Sequence, residues 1–319
     1  MAFEGNAPVV TARLPRAGRE VLERGTLCYL AVRTTLGPHL TPVVYALDGG
    51  RLWLTTSRTS VKTRALRRDR GVAGLIRAGD EALTFHGRAR TYDALDPLSW
   101  PSAAVAGPRL VRATTRFTLK NARFFAGYAV DARRVPLAWT PPGRIFVGIE
   151  VTAGALLDLV EGTVTADWGE WDREDEIIQS RLSSSHDNPH RPLDLRVPRS
   201  VRSVVGKKGD GVLALSHRSH TVVPVRWRRL AREGTYEARL PQAFLELAGA
   251  ADRGRTRARA VALTVDRIAS WRAAEMAGML LQGEAEIDSS SELDNALVRV
   301  RPHRVVWWEG WSSGSVSGP

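Results

Sequence analysis

Residues 55–62 read Thr55-Thr56-Ser57-Arg58-Thr59-Ser60-Val61-Lys62, which puts five hydroxyls and two cations into one short run. Arg64, Arg67 and Arg68 follow closely. Such a set suits a phosphate dianion. Where the run opens a helix, the first N–H groups have no helical acceptor, and the macrodipole adds to their pull on an anion. Lys62 supplies a compact charge and Arg58 a two-pronged fork. The same residues also fit an ordinary Ser/Thr helix cap with solvated cations around it.

Other constellations are poorer. His217 and His220 are spaced so that a strand turns their rings to opposite faces, which does not make a metal pair. His186 and His190 sit in a polar stretch. No G-x-S-x-G elbow, P-loop or G-x-G-x-x-G after a strand occurs, so serine hydrolase, P-loop and Rossmann readings lack support. His39 and Tyr45 read as structural residues. The single cysteine, Cys28, excludes an intrachain disulfide and a cysteine zinc cluster, and fits a reducing cytoplasm.

The elements that must position residues 55–62 are legible around them. A proline opens a short amphipathic helix at residues 15–24. A strand at 28–32 and a second at 40–47 follow. Asp48-Gly49-Gly50 is a tight hairpin turn, since aspartate and glycine tolerate positive φ. It leads into a strand at 51–56, then a helix from Ser60 to Arg68 and a strand at 72–77.

This order occurs twice. Leu14-Pro15-Arg16 stands fifteen residues before Leu30-Ala31-Val32, and Val197-Pro198-Arg199 fifteen before Leu213-Ala214-Leu215. Thr41-Pro42-Val43-Val44 pairs with Val223-Pro224-Val225-Arg226, and Gly87-x-Ala89 with Gly283-x-Ala285. Each copy ends in an alternating run, at 145–151 and 296–302. The expected fold is therefore mainly β with short helices: two tandem copies of a small β-barrel. The expected domains are 1–165 with a helical insertion at 94–144, an acidic helix and linker at 166–196, and 197–319 with a disordered tail. Trp100, Trp139, Trp168, Trp171, Trp307 and Trp308 are expected to pack the seam between the copies.

The chain has 319 residues, 46 Lys+Arg against 34 Asp+Glu, and a pI near 10.8. Only four of the basic residues are lysines. The arginines are scattered, in the manner of GC-rich coding, so nucleic acid is not needed to explain the charge. No apolar run approaches the ~18 residues of a membrane span. The first residues lack the basic head and apolar stretch of a signal peptide, which makes the cytoplasm the expected location.

Strand, hairpin and then T-x-x-x-S-x-K into a helix resembles the pyridoxamine 5′-phosphate oxidase-like FMN-binding split barrels. Thr56, Ser60 and Lys62 match that spacing, and Leu52-Trp53-Leu54 fits the aromatic strand before it. The following helix and strand resemble the family's too. Leu66 is present there, while Asp69-Arg70 replaces its usual Asn-Pro. The likeness covers residues 14–93 well and the second copy weakly. It implies two tandem split β-barrels packed as an intrachain pseudo-dimer, and FMN as cofactor, with Arg58, Ser60 and Lys62 on the phosphate and Thr56 beside them. Pro42, Val43, Val44 and Tyr45 would run along the isoalloxazine edge. A deazaflavin presents a similar ring and phosphate.

The true oxidases carry an arginine where this chain has Thr41-Pro42, which points to a relative with another substrate. Where the second copy's phosphate loop should fall, residues 235–250 carry Glu237 and Glu246 and no Ser-x-Lys. A carboxylate there repels phosphate, so one phosphate site per chain is expected. The second copy then acts as a wall, with Arg226, Trp227 and Trp271 as weak contributors. Two function classes follow. One is a flavin-dependent oxidoreductase acting on a small-molecule substrate, with a nicotinamide as a candidate reductant, working as a monomeric pseudo-dimer. The other is a non-catalytic protein that holds FMN, deazaflavin or haem. A cofactor-free scaffold is the third reading.

Overall fold

The computed structural model describes residues 14–93, 95–96, 100–130, 143–169, 193–216, 220–230, 234–249, 255–268, 275–289 and 295–318. The first copy starts with helix α1 (Arg16–Arg24), with Pro15 at its N-cap, and buries Val21 and Leu22. Strands β1 (Leu27–Thr34), β2 (Gly37–Asp48) and β3 (Arg51–Ser57) form a meander. The β2–β3 turn has φ of 58° at Gly49 and 74° at Gly50, as a primed two-residue hairpin requires. Helix α2 (Val61–Arg68), β4 (Gly71–Ala78) and β5 (Glu81–Tyr92) come next. The insertion forms α3 (Trp100–Lys120) and α4 (Ala122–Val130), after which β6 (Arg144–Asp158) and β7 (Thr163–Trp168) complete the copy.

The sheet order is β3-β2-β1-β4-β5-β6-β7, and β3 also pairs with β6. Six antiparallel strands therefore close on themselves, and β7 lies outside on β6. Closure removes the sheet edges.

The second copy repeats this plan strand for strand. It comprises α5 (Arg199–Val205), β8 (Lys208–Ser216), β9 (His220–Leu230), β10 (Thr235–Pro241), α6 (Gln242–Leu247), β11 (Arg255–Ile268), β12 (Met276–Asp288), β13 (Asn295–Glu309) and β14 (Ser312–Ser317). Its order is β10-β9-β8-β11-β12-β13-β14, with β10 closing on β13.

The shared Gly-x-Ala has a steric cause. Both glycines sit at a β-bulge, between His86 and Gly87 in one barrel and between Gln282 and Gly283 in the other. A Cβ at Gly87 would lie 2.6 Å from the Glu150 carbonyl oxygen, and one at Gly283 would lie 2.0 Å from that of Arg301. Only glycine admits the crossing strand so close.

The barrels meet across a pseudo-two-fold seam. β2 packs on β8, β11 and β12, and in return β9 packs on β1, β4 and β5, the reciprocity of an isologous interface. Ala31, Leu40, Ala73 and Leu75 of the first barrel belong to the apolar cluster that fills the second. Tyr29 Oη donates to both oxygens of Asp266, at 3.1 and 3.2 Å. Burial pushes the Asp266 carboxyl up to about 6, against the stabilising hydrogen bond from Tyr29.

Three expectations need correction. Among the described residues, the tryptophans expected at the seam pack elsewhere. Trp168 packs on Gly18 and Gly154 within the first copy, Trp307 and Trp308 pack on Gly314 and Gly278 within the second, and Trp100 is exposed. Small aliphatic residues let the two curved sheets approach. The tail is not disordered either, because residues 312–317 pair with β13 as β14. Residues 166–168, expected to open the acidic helix and linker, end β7 instead; residues 170–192 lie outside the described residues, as do Trp139, His217 and Trp271.

Candidate functional site

The run at 55–62 occupies the turn from β3 into α2. Ser60 is the N-cap of α2, and its Oγ accepts from the Thr63 N–H at 3.1 Å. Thr56 Oγ1 lies 3.0 Å from Ser60 Oγ, and Ser60 Oγ lies 3.1 Å from Thr63 Oγ1. Thr63 Oγ1 donates to the Ser57 carbonyl at 2.6 Å. The result is a relay of hydroxyls at the positive end of a helix whose Val61 and Lys62 N–H groups have no helical acceptor.

Lys62 Nζ donates to Thr41 Oγ1 at 2.7 Å, and no carboxylate pairs with it among the described residues. Burial, with Arg144 nearby as a second cation, pushes its ammonium down to about 8. Arg144 is held by Thr55, through Oγ1 at 3.0 Å and the carbonyl at 2.9 Å. A half-buried cation beside a second cation, with no carboxylate among the described residues paired to it, is costly. The feature fits an anionic ligand.

Arg58 is placed differently from Lys62. Its guanidinium pairs with Asp93 at 2.7 Å, and Arg67 holds the other oxygen of the same carboxylate at 3.1 Å. Asp93 is almost fully buried at the end of β5. Arg58 therefore ties the loop to the barrel wall.

The strand beside this loop has an open edge. β2 pairs with β1 over residues 37–44, but β3 pairs with β2 only from Tyr45 to Asp48 before it follows β6. This divergence is the split in the barrel. On the edge so exposed, the Pro38 carbonyl accepts from Gln282 Nε2 at 2.9 Å and the Leu40 carbonyl from Thr264 Oγ1 at 2.7 Å. Backbone groups of alternate residues face the same edge, so Pro42 and Val44 present theirs there too. Proline has no N–H to lose and tolerates such an edge.

Of the four residues expected along the ring edge, Pro42, Val43 and Val44 are half-buried on this strand. Tyr45 is fully enclosed in the first barrel. Its Oη donates to the Leu22 and Gly25 carbonyls at 2.7 and 3.0 Å, and Lys120 Nζ stands 3.9 Å over its ring. It is a core residue. His39 is buried on β2, where the cations of Lys62 and the second barrel's Arg304 act on it. Burial and those two cations push its imidazole down to about 3, so it is neutral at physiological pH.

Sequence reasoning missed Thr41, Thr63, Asp93, Arg144, Thr264, Gln282 and Arg304. Thr63 carried a local signal, being three residues after the N-cap. The others join through closure or through the seam, and no spacing announces them.

The second barrel's counterpart is stripped. β10 and α6 stand where β3 and α2 do, but Leu240 and Pro241 take the places of Thr56 and Ser57. Glu237, almost fully buried, is gripped by Arg228 at 2.7 Å and Arg239 at 3.3 Å. Although burial opposes it, these guanidiniums hold its carboxyl below the usual range. Trp227 is core, packed 5.8 Å from Tyr236, and Arg226 is exposed.

The chain is thus a tandem split barrel whose first copy sets a hydroxyl-rich helix start and Lys62 beside an open strand edge. Residues 16–117 match the family model described as pyridoxamine 5′-phosphate oxidase. No curated protein matches the chain. Among solved structures, a pyridoxamine 5′-phosphate oxidase-related, FMN-binding protein of Nostoc punctiforme is 16% identical. It covers 48% of this chain and 87% of its own, with a TM-score of 0.36. A conserved hypothetical protein of Mycobacterium tuberculosis is 22% identical, covering 46% and 88%, with a TM-score of 0.33. A FAD-binding protein of Mesorhizobium loti is 16% identical, covering 43% and 89%, with a TM-score of 0.30.

Proposed function

We propose that the chain is a flavin-dependent oxidoreductase that holds one FMN in its first barrel. The observation that carries this reading is the half-buried Lys62 ammonium, which pairs with no carboxylate among the described residues, next to the hydroxyl relay of Thr56, Ser60 and Thr63. These residues fit a phosphate dianion in charge, donor count and position at a helix start. The open β2 edge at Pro42 and Val44 fits a planar ring that is recognised by backbone groups.

A bound flavin would supply hydride or electron transfer. The chain's own residues bind and orient. Lys62 and Ser60 hold the phosphate, the β2 edge sets the ring, and the second barrel closes the opposite side against water. Neutral His39 offers a hydrogen bond at the seam without adding charge. The substrate is a small molecule other than pyridoxamine phosphate, since Thr41-Pro42 replaces the arginine of the true oxidases. The visible spectrum of the purified chain tests the cofactor. Flavin bands support FMN, a deazaflavin band would replace it with the deazaflavin in the same groove, and a Soret band or failure to bind added FMN would overturn the reading.

A further inference from the structure

The helical insertion is what the second copy lacks, since residues 289–294 alone separate β12 from β13 and that barrel closes without a helix there. Helix α3 lays one face on the first barrel. Ala113 and Phe117 are buried, with Ala106 and Leu110 beside them, over Trp53 and Phe146. Arg112 and Arg116 hold the helix there through the buried Asp48 carboxylate, at 2.9 and 3.4 Å.

The face turned away carries Trp100, Pro108, Val111, Thr115 and Leu119, all exposed. Steps of eight, three, four and four residues keep them in one stripe, a ridge about 28 Å long at the rise of an α-helix. Among the described residues six large apolar side chains are exposed, and Leu95, Trp100, Val111 and Leu119 are four of them. One exposed leucine needs no account, but such a concentration marks a contact surface.

The charge of the insertion is one-sided as well. Residues 100–130 hold five cations, Arg109, Arg112, Arg116, Lys120 and Arg123, and no carboxylate. Arg109, Arg112 and Arg116 follow one flank of the ridge, three and four residues apart. A second copy would set the same cations against these. An apolar ridge beside a row of cations instead complements a surface that is negative outside and apolar beneath, which is the headgroup boundary of an anionic bilayer. A convex helix can enter between headgroups, and arginine stems can lie along the boundary with their guanidiniums at lipid phosphates.

We propose that α3 docks the chain on an anionic lipid surface, with Trp100, Val111 and Leu119 entering the headgroup boundary and Arg109 and Arg123 supplying exposed charge. Flotation of the full chain with vesicles tests this. One set contains phosphatidylglycerol and phosphatidylcholine in equal parts, the other phosphatidylcholine alone. The variants are Val111→Ser with Leu119→Ser, and Arg109→Ser with Arg123→Ser. A charge-matched control, Arg226→Ser with Arg299→Ser, alters exposed residues of the second barrel.

The wild type should partition onto the anionic vesicles and leave them as salt rises. The apolar pair, which keeps the full charge, should partition about 10-fold more weakly or worse. The Arg109 and Arg123 pair should lose about 10- to 30-fold, and the control should stay near the wild type. Equal partitioning onto both vesicles would overturn the proposal, as would an apolar pair that floats like the wild type or a control that loses as much as the insertion's arginine pair. No partitioning onto either vesicle would overturn it in favour of a protein partner. All the substituted side chains are exposed, so urea unfolding should return wild-type stability; should a paired variant misfold, Leu119→Ser alone against the wild type decides. None of these readouts involves the flavin.

Discussion

Lys62→Met tests the anion cradle through two opposed effects. Removing the ammonium deletes a charge-assisted contact to the phosphate. Contacts of that kind contribute roughly 1.5–3 kcal/mol, so FMN should bind about 10- to 100-fold more weakly. Riboflavin, which has the ring without the phosphate, should lose almost nothing. The cofactor-free protein should change the other way. Lys62 is pushed from 10.5 to about 8, and at about 1.4 kcal/mol per unit this sets an upper limit near 3 kcal/mol on the cost of its charge. Its half exposure screens part of that, and the lost bond to Thr41 offsets about 1 kcal/mol more. Apo Lys62→Met should therefore be more stable by about 1–2 kcal/mol at pH 7. The sign follows from the depressed value. The wild type gains stability as pH rises from about 8 toward 10.5, because the native lysine releases its proton before the unfolded one does. The variant should lack that increment. Fluorescence titration with both flavins and urea unfolding across pH read the two effects. Equal losses for FMN and riboflavin, or a destabilised apoprotein, would refute the reasoning.

Four further outcomes follow from the same geometry. Tyr45→Phe removes a buried hydroxyl that serves two carbonyls and should cost about 1–3 kcal/mol in urea unfolding, with FMN affinity unchanged. Glu237→Ala strips the partner from Arg228 and Arg239; titration should show FMN binding nearly unchanged, since Glu237 lies in β10 of the copy that lacks the Ser-x-Lys cradle. Gly87→Ala and Gly283→Ala drive a Cβ into backbone and should each cost upwards of about 3 kcal/mol, read as loss of soluble protein or a large drop in Tm. Asp266 has a raised folded value of about 6, so its neutral form is favoured below about pH 4 and that advantage is lost as pH rises through 6. Asp266→Asn should therefore be the more stable form at pH 8 by about 2 kcal/mol, and the gap should close by pH 4 in unfolding curves.

The repeat and its elements were readable because each rests on local chemistry. Pro15 and Pro198 each precede a short helix, Asp48-Gly49-Gly50 demands positive φ, and Gly87 and Gly283 mark bulges that admit no side chain. Ser60 was legible as a cap, and Lys62 as a cation at the start of the same helix. What could not be read depends on closure. Arg58 follows the same spacing as Lys62, yet Asp93, brought in from the far end of β5, captures it. Tyr45 continues the run from Pro42 to Val44, but β3 joins β2 at that residue and turns it into core. The tryptophans looked like interface residues by type, and the seam instead took Ala31, Ala73 and Leu40, whose small or branched side chains let two curved sheets touch. Gln282 and Arg304 lie more than two hundred residues from Lys62 in the chain, and only the pseudo-two-fold packing relates them to β2.

The central claim is one flavin in the first barrel and none in the second. Titration of the purified full chain with FMN, followed by fluorescence quenching and absorbance, tests it directly. The account predicts saturation at one FMN per chain, with affinity lost in Lys62→Met and kept in Glu237→Ala. Saturation at two per chain, or no binding at all, would contradict it.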